Sequence, residues 1–276
     1  MNSVAFAISD FTSIYDSFNM FSRIRDRLKI HYDGEEYIKE LDLNIFKVFL
    51  PPNINDRAYM NNIRKIEKHI GAGKTNFAPK TFRFLDFNVY SNFQKNLMGY
   101  SVVNSSKLIL RANHKSIRES CIVLYDAAHF ISKPIIDYLA REARYIILVS
   151  NNKAELKRLW EYISANFGIS VITSIELDNA VKSADIIITT ENIDVKDNTP
   201  VWYLNNLYRP QKMNNYKVND ISLKVPWSIY HNEMPLEIVG AVLSQMEEKD
   251  VEKSLSENDI FINNSIFEIG THLHYN

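Results

Sequence analysis

Between residues 121 and 190, short β-branched runs alternate with helical spans, and this rhythm constrains the fold more than any other feature. Residues 121–125, 145–149, 169–173 and 185–190 read as strands, separated by helices over 133–143, 153–167 and about 177–183. Continuous apolar strands joined by such helices build a parallel sheet covered on both faces. A further strand is expected at 201–204 and a last strong helix at 235–247. Upstream, 4–8 and 45–50 read as strands, the second stopped by Pro51-Pro52, and 58–70 as a helix ended by Gly71. Ile14, Phe18, Phe21, Ile24 and Leu28 recur at helical spacing and predict an amphipathic helix over about 13–30.

The turn after the strand 121–125 has unexpected chemistry. It reads Asp126-Ala127-Ala128-His129-Phe130-Ile131. A dinucleotide-binding turn carries G-x-G-x-x-G there, so that the backbone turns tightly, admits a pyrophosphate and packs helix on strand. Those three slots hold Asp126, Ala128 and Ile131. Ala128 adds a methyl where the backbone should approach phosphate, and Asp126 adds a carboxylate. Unit charges about 4 Å apart repel by roughly 1–4 kcal/mol near a surface. His129 or Lys133 could offset part of that repulsion, and a helix N-terminus attracts anions even without the motif.

Composition narrows the function classes. Apolar residues are 46% of the 276, enough for a real core. Net charge is -1, from 32 basic and 33 acidic side chains, which gives no case for nucleic acid or an anionic membrane. Arg23, Arg25, Arg27 and Lys29 read as a solvated helix face. The one cysteine, Cys121, excludes an intrachain disulfide and a cysteine zinc site. His272 and His274 read as part of a frayed terminus, so no metal is expected. No apolar run reaches membrane-spanning length and the start lacks a signal-peptide pattern, so a soluble, cytoplasmic protein is expected. Abundant Asn, Ile and Lys hint at an AT-rich bacterial genome.

Several segments in order resemble the shikimate dehydrogenase family. Gly73-Lys74-Thr75-Asn76-Phe77-Ala78-Pro79-Lys80 is similar to its G-x-N-V-T-x-P-x-K. Asn88-Val89 through Gly99-Tyr100 is similar to the stretch from A-V-N-T to G-Y-N-T-D-G. Ser150-Asn151-Asn152 resembles the N-R-T after the second strand of the cofactor lobe, Tyr208-Arg209-Pro210 the Y-x-P, and Ala241–Gln245 the M-L-V-x-Q helix. The resemblance implies an α/β protein of two lobes. The N-terminal substrate-type lobe would span 1–110, with the final helix over 235–248 returning to it, and a Rossmann-like parallel sheet would span 111–276. It also implies a small molecule in an inter-lobe cleft and NADP as cofactor, and leaves a homodimer open. Lys80 would be catalytic. Thr12 and Ser13, with Tyr208 and Gln245, would bind substrate. Asp126, Ala128, His129, Ser150, Asn151 and Thr189 would face the cofactor.

The departures fall on working residues. The family's catalytic pair is a Lys and an Asp, and the Asp position of Gly99-Tyr100-Ser101-Val102-Val103-Asn104 holds Val103. Hydride transfer at a hydroxyl carbon needs a proton moved with it, and Val103 can neither exchange one nor hold the Lys80 ammonium. The phosphate-pairing Arg of N-R-T is Asn151, and no proline follows Thr12-Ser13. Three functions stand open: a diverged member that binds or senses a small molecule without shikimate dehydrogenase activity, an NAD(P)-dependent oxidoreductase with altered substrate in a specialised pathway, and a non-catalytic interaction protein.

Overall fold

The computed structural model describes residues 2–71, 75–193, 195, 199–208, 217–228 and 232–263. In chain order the elements are β1 Ser3–Ser9, α1 Met20–Lys29, β2 His31–Ile38, β3 Leu43–Leu50, α2 Asp56–Ile70, β4 Thr75–Lys80, α3 Arg83–Val89 and α4 Asn92–Ala112. There follow β5 Cys121–Tyr125, α5 Ser132–Glu142, β6 Tyr145–Val149, α6 Lys153–Phe167, β7 Ile172–Ser174, α7 Leu177–Val181, β8 Ile186–Thr189, β9 Val201–Tyr203 and β10 Lys217–Val218. The last described elements are β11 Ser222–Lys224, β12 Glu233–Pro235, α8 Leu236–Leu243, α9 Val251–Glu257 and β13 Phe261–Ile262. They form two compact units, Met1–Lys95 with Ser222–Phe261, and Asn96–Ile221 with Ile262–Asn276.

The second unit holds the expected α/β parallel sheet, in the order β10-β9-β8-β5-β6-β7. Every neighbouring pair is parallel. Counted within the unit from β7, this is the Rossmann order 3-2-1-4-5-6, whose direction reverses between β5 and β8. Residues 122–124, 146–148 and 186–188 are buried throughout, as strands covered on both faces must be. The buried Trp202 of β9 donates from Nε1 to Ser105 Oγ of α4 at 2.9 Å, which seats α4 on the sheet. Gly99 lets α4 meet α5 closely, because a Cβ there would stand 2.7 Å from the Pro134 carbonyl. Further along, Lys107 pairs with Glu142 at 2.5 Å, so the two helices run side by side.

The first unit is built on a four-stranded sheet ordered β2-β3-β1-β4. β1 pairs in parallel with β3 and β4, while β2 is an antiparallel edge. α8 covers β4 and β1, tied on by Asn76 Nδ2 donating to the Ala241 carbonyl at 3.3 Å. A smaller sheet, β12-β11-β13, completes the set.

The sequence reading assigned no element between residues 71 and 120, where β4, α3 and α4 lie, and two further features depart from it. β2 is an extra strand; its residues His31-Tyr32-Asp33-Gly34-Glu35-Glu36-Tyr37 are exposed, so no apolar run marks it. Helix α1 starts at Met20 and presents Met20, Phe21, Ile24 and Leu28 to solvent instead of to the core. Its inward side is polar. Asn19 and Ser22 form a reciprocal capping box at 2.8 Å each way. Buried Asp26 accepts from Tyr15 Oη at 2.5 Å, Asn53 Nδ2 at 2.9 Å and Asn62 Nδ2 at 3.3 Å. A satisfied buried carboxylate fixes the roll of the helix, and the apolar stripe must then face out.

Candidate functional site

In open parallel sheets ligands bind beyond the carboxyl ends of the strands, where the strand order reverses. Here that place is the turn from β5 to α5, facing the end of β8. Asp126 takes the left-handed conformation with φ 57°, so it meets the backbone demand of the first glycine slot; Asp tolerates that region better than most side chains. Its carboxylate accepts from Thr190 Oγ1 at 2.5 Å, spanning the gap between the β5 and β8 ends.

The turn consumes its own donors. The N–H groups of Ala127, His129 and Ser132 donate to the carbonyls of Val149, Asp126 and His129 at 3.0, 2.9 and 2.9 Å. The Ile131 N–H donates to His129 Nδ1 at 3.3 Å. That bond requires an unprotonated Nδ1, and burial pushes the imidazole below its ordinary value of 6.5, against the opposing pull of Asp126 and Glu191. The ring also stacks on Phe130, with centroids 4.3 Å apart. The N–H groups of Ala127, His129, Ile131 and Ser132 are thus spent within the protein, and the Asp126 carboxylate stands in the same turn, which makes it a poor cradle for a pyrophosphate.

Two of the other cofactor positions, Ser150 and Thr189, are also engaged. Ser150 donates its N–H to the Ser174 carbonyl at 3.2 Å, and its Oγ accepts from Asn152 N at 3.2 Å. Thr189 Oγ1 donates to the Glu191 carbonyl at 3.1 Å and accepts from its N–H at 2.9 Å. Asn151 is exposed.

In the first unit, Lys80 ends β4 opposite Ile8, and the loop after β1 carries Thr12 and Ser13. Those three residues therefore share the carboxyl edge of the sheet. Thr12 spends its N–H and its hydroxyl proton on the Asp10 carboxylate, at 2.9 and 2.6 Å, while Ser13 is exposed. Gln245 is elsewhere. Its amide grips Asn2 at both N and O, at 2.7 and 3.2 Å, before β1 begins. Asn2 stands six residue steps before Ile8, the register partner of Lys80, about 20 Å at roughly 3.3 Å per residue. Gln245 is thus a clamp on the opposite edge. Tyr208 belongs to the second unit, packed against Tyr203 with ring centroids 6.1 Å apart.

Sequence reasoning missed the network behind Lys80. Buried Asp86 accepts from Thr81 N at 2.8 Å, Thr81 Oγ1 at 2.5 Å and Tyr59 Oη at 2.7 Å. Burial raises its carboxyl above the usual range, while these bonds and Arg83 pull it back. Tyr90 Oη donates to the Pro79 carbonyl at 3.0 Å. Together they fix the backbone on both sides of Lys80. The available signal was a carboxylate inside the apolar run Phe84-Leu85-Asp86-Phe87.

The hexamer Gly99–Asn104 lies inside α4, well past its first turn. Val103 is fully buried, and Gly99 serves the contact with α5. Gly73, Lys74, Arg209, Pro210, His272 and His274 lie outside the described residues. Among those described, no group of His, Cys, Asp and Glu could hold a metal.

No family model matches the sequence, and no curated protein matches it. Among solved structures, the chain is similar to L-tryptophan dehydrogenase from Nostoc punctiforme, with TM-score 0.30 and 11% identity over 68% of this chain and 56% of that one. It thus spans little more than half of that enzyme. Shikimate 5-dehydrogenase from Listeria monocytogenes, solved with shikimate and NAD, gives TM-score 0.36 and 11% identity over 71% and 70%. The ligand-free 5-ketofructose reductase of Gluconobacter sp. strain CHM43 gives TM-score 0.37 and 9% identity over 100% and 99%.

Proposed function

We propose that this chain is a diverged protein of shikimate-dehydrogenase type that binds or senses a small molecule and has given up nicotinamide-dinucleotide chemistry. The observation that carries the reading is the Asp126–Thr190 bond, which sets a carboxylate across the strand-order reversal. Phosphate charge would have to displace or neutralise it. Val103 supports the same reading, since a fully buried valine stands where the resemblance puts the catalytic Asp, and it cannot exchange a proton. Lys80 at the end of β4 and the exposed Ser13 share one edge of the first unit's sheet, residue types that suit a small carboxylate.

The test is thermal unfolding with millimolar NAD, NADH, NADP or NADPH. A nucleotide present at 100 times its Kd adds about 2.7 kcal/mol, or roughly 5 °C or more for a chain of this size. The expected shift is none. A clear stabilisation by any of the four overturns the proposal in favour of an oxidoreductase with altered cofactor contacts, which Lys80 at the sheet edge would then serve.

A further inference from the structure

We propose that α1 is a docking helix that lies in the plane of an anionic lipid surface. Its solvent face carries four large apolar side chains, with Met20 69%, Phe21 79%, Ile24 52% and Leu28 81% exposed. At 100° per residue these fall in one sector about 100° wide, centred almost opposite the buried pair Ser22 and Asp26. Single exposed apolar side chains are ordinary; a contiguous stripe on a helix whose polar face is anchored inward marks a contact surface.

Charge selects the occupant. Arg23 and Arg27 border one side of the stripe and Arg25 the other, with Lys29 beyond it. The helix's single acid, Asp26, is buried under Tyr15, Asn53 and Asn62 and is not presented outward. An apolar sector edged by cations on both sides matches a bilayer interface, where acyl chains accept the stripe and lipid phosphates accept the guanidinium groups. A second copy meeting the same face would set arginines against arginines, which disfavours a symmetric helix pair. Among the described residues no helix is long and apolar enough to cross a membrane, so contact would be in-plane. This departs from the sequence reading, which took the cationic face as merely solvated.

Sedimentation of the full chain with vesicles tests the proposal. The probes are vesicles of phosphatidylcholine alone and of phosphatidylcholine with about 30% phosphatidylglycerol, at low salt and about 0.5 M salt. Binding to the anionic vesicles is expected to exceed binding to neutral ones at least about tenfold, and to fall by a similar factor at high salt. F21S/L28S and R23E/R27E are each expected to lose it, while keeping the wild-type melting temperature because the replaced groups are exposed. F21W adds a second reading: its emission should move to shorter wavelength on anionic vesicles. No sedimentation with either vesicle, equal binding to both, or binding unchanged in the variants overturns the proposal. So does a dimer in solution that F21S/L28S converts to monomer, which would assign the stripe to a second copy.

Discussion

In the resemblance Gly99 opens the hexamer that would carry a catalytic Asp; in space it is a helix-packing glycine. A methyl there would meet the Pro134 carbonyl at 2.7 Å, on backbone that α5 cannot easily move. G99A is expected to cost about 1–3 kcal/mol, the usual range for overpacking, read as a lower midpoint in urea. An unchanged midpoint would show that α4 and α5 are free to separate. Tyr15 makes a different kind of contribution. Burial first, then the bond to Asp26, pushes its hydroxyl up to about 12. Because the folded value lies above the unfolded one, the stabilisation is complete below pH 10.0 and drains away as pH rises through about 12. Y15F should cost about 1 kcal/mol at neutral pH, discounted for the ring's partial exposure, and lose no further stability between those pH values.

At the element scale, the β5–α5 turn gives a pH prediction of opposite sign. His129 is held neutral by burial, so the unfolded chain takes up its proton near pH 6.5 and the folded chain only at lower pH. Its contribution is complete above pH 6.5 and is lost as pH falls below it. Urea midpoints measured from about pH 8 to pH 5 should fall faster for wild type than for H129Q, and parallel slopes would remove the imidazole from the turn's stability. What could be read from sequence follows the same physics. β5, β6 and β8 were legible because strands buried on both faces are written as unbroken apolar runs. β2 was not, because an exposed edge needs no apolar residues. The periodicity of α1 was legible, but its roll was not: that depends on Asp26 meeting Tyr15, Asn53 and Asn62 from two other segments. In α4, small and apolar residues on every side left no helical stripe to see. At the candidate site, the glycine-free turn was legible, while the Thr190 partner of Asp126 depended on the β5–β8 pairing. Gln245 carried the right residue type, but its place at the far edge was set by Asn2.

The whole molecule is two units, each with its own sheet and core. Gly99 and Tyr15 lie in different units and share no partner in the contacts that define them. The losses of G99A and Y15F should therefore add, within about 0.5 kcal/mol, in the double variant. A larger interaction energy would mean that the two sites are coupled through the structure. The division also has a temporal side. β4 ends at Lys80, but α8, which covers β4 and β1, is not complete until Leu243. On the ribosome roughly 160 residues separate those events, on the order of ten seconds of synthesis. During that interval the nascent N-terminal sheet stands with one apolar face bare, while the whole Cys121–Val218 sheet emerges between its halves. Strands β1 and β4 must wait for a helix made roughly 160 residues later, so the newborn chain is most exposed to chaperones and aggregation along this sheet.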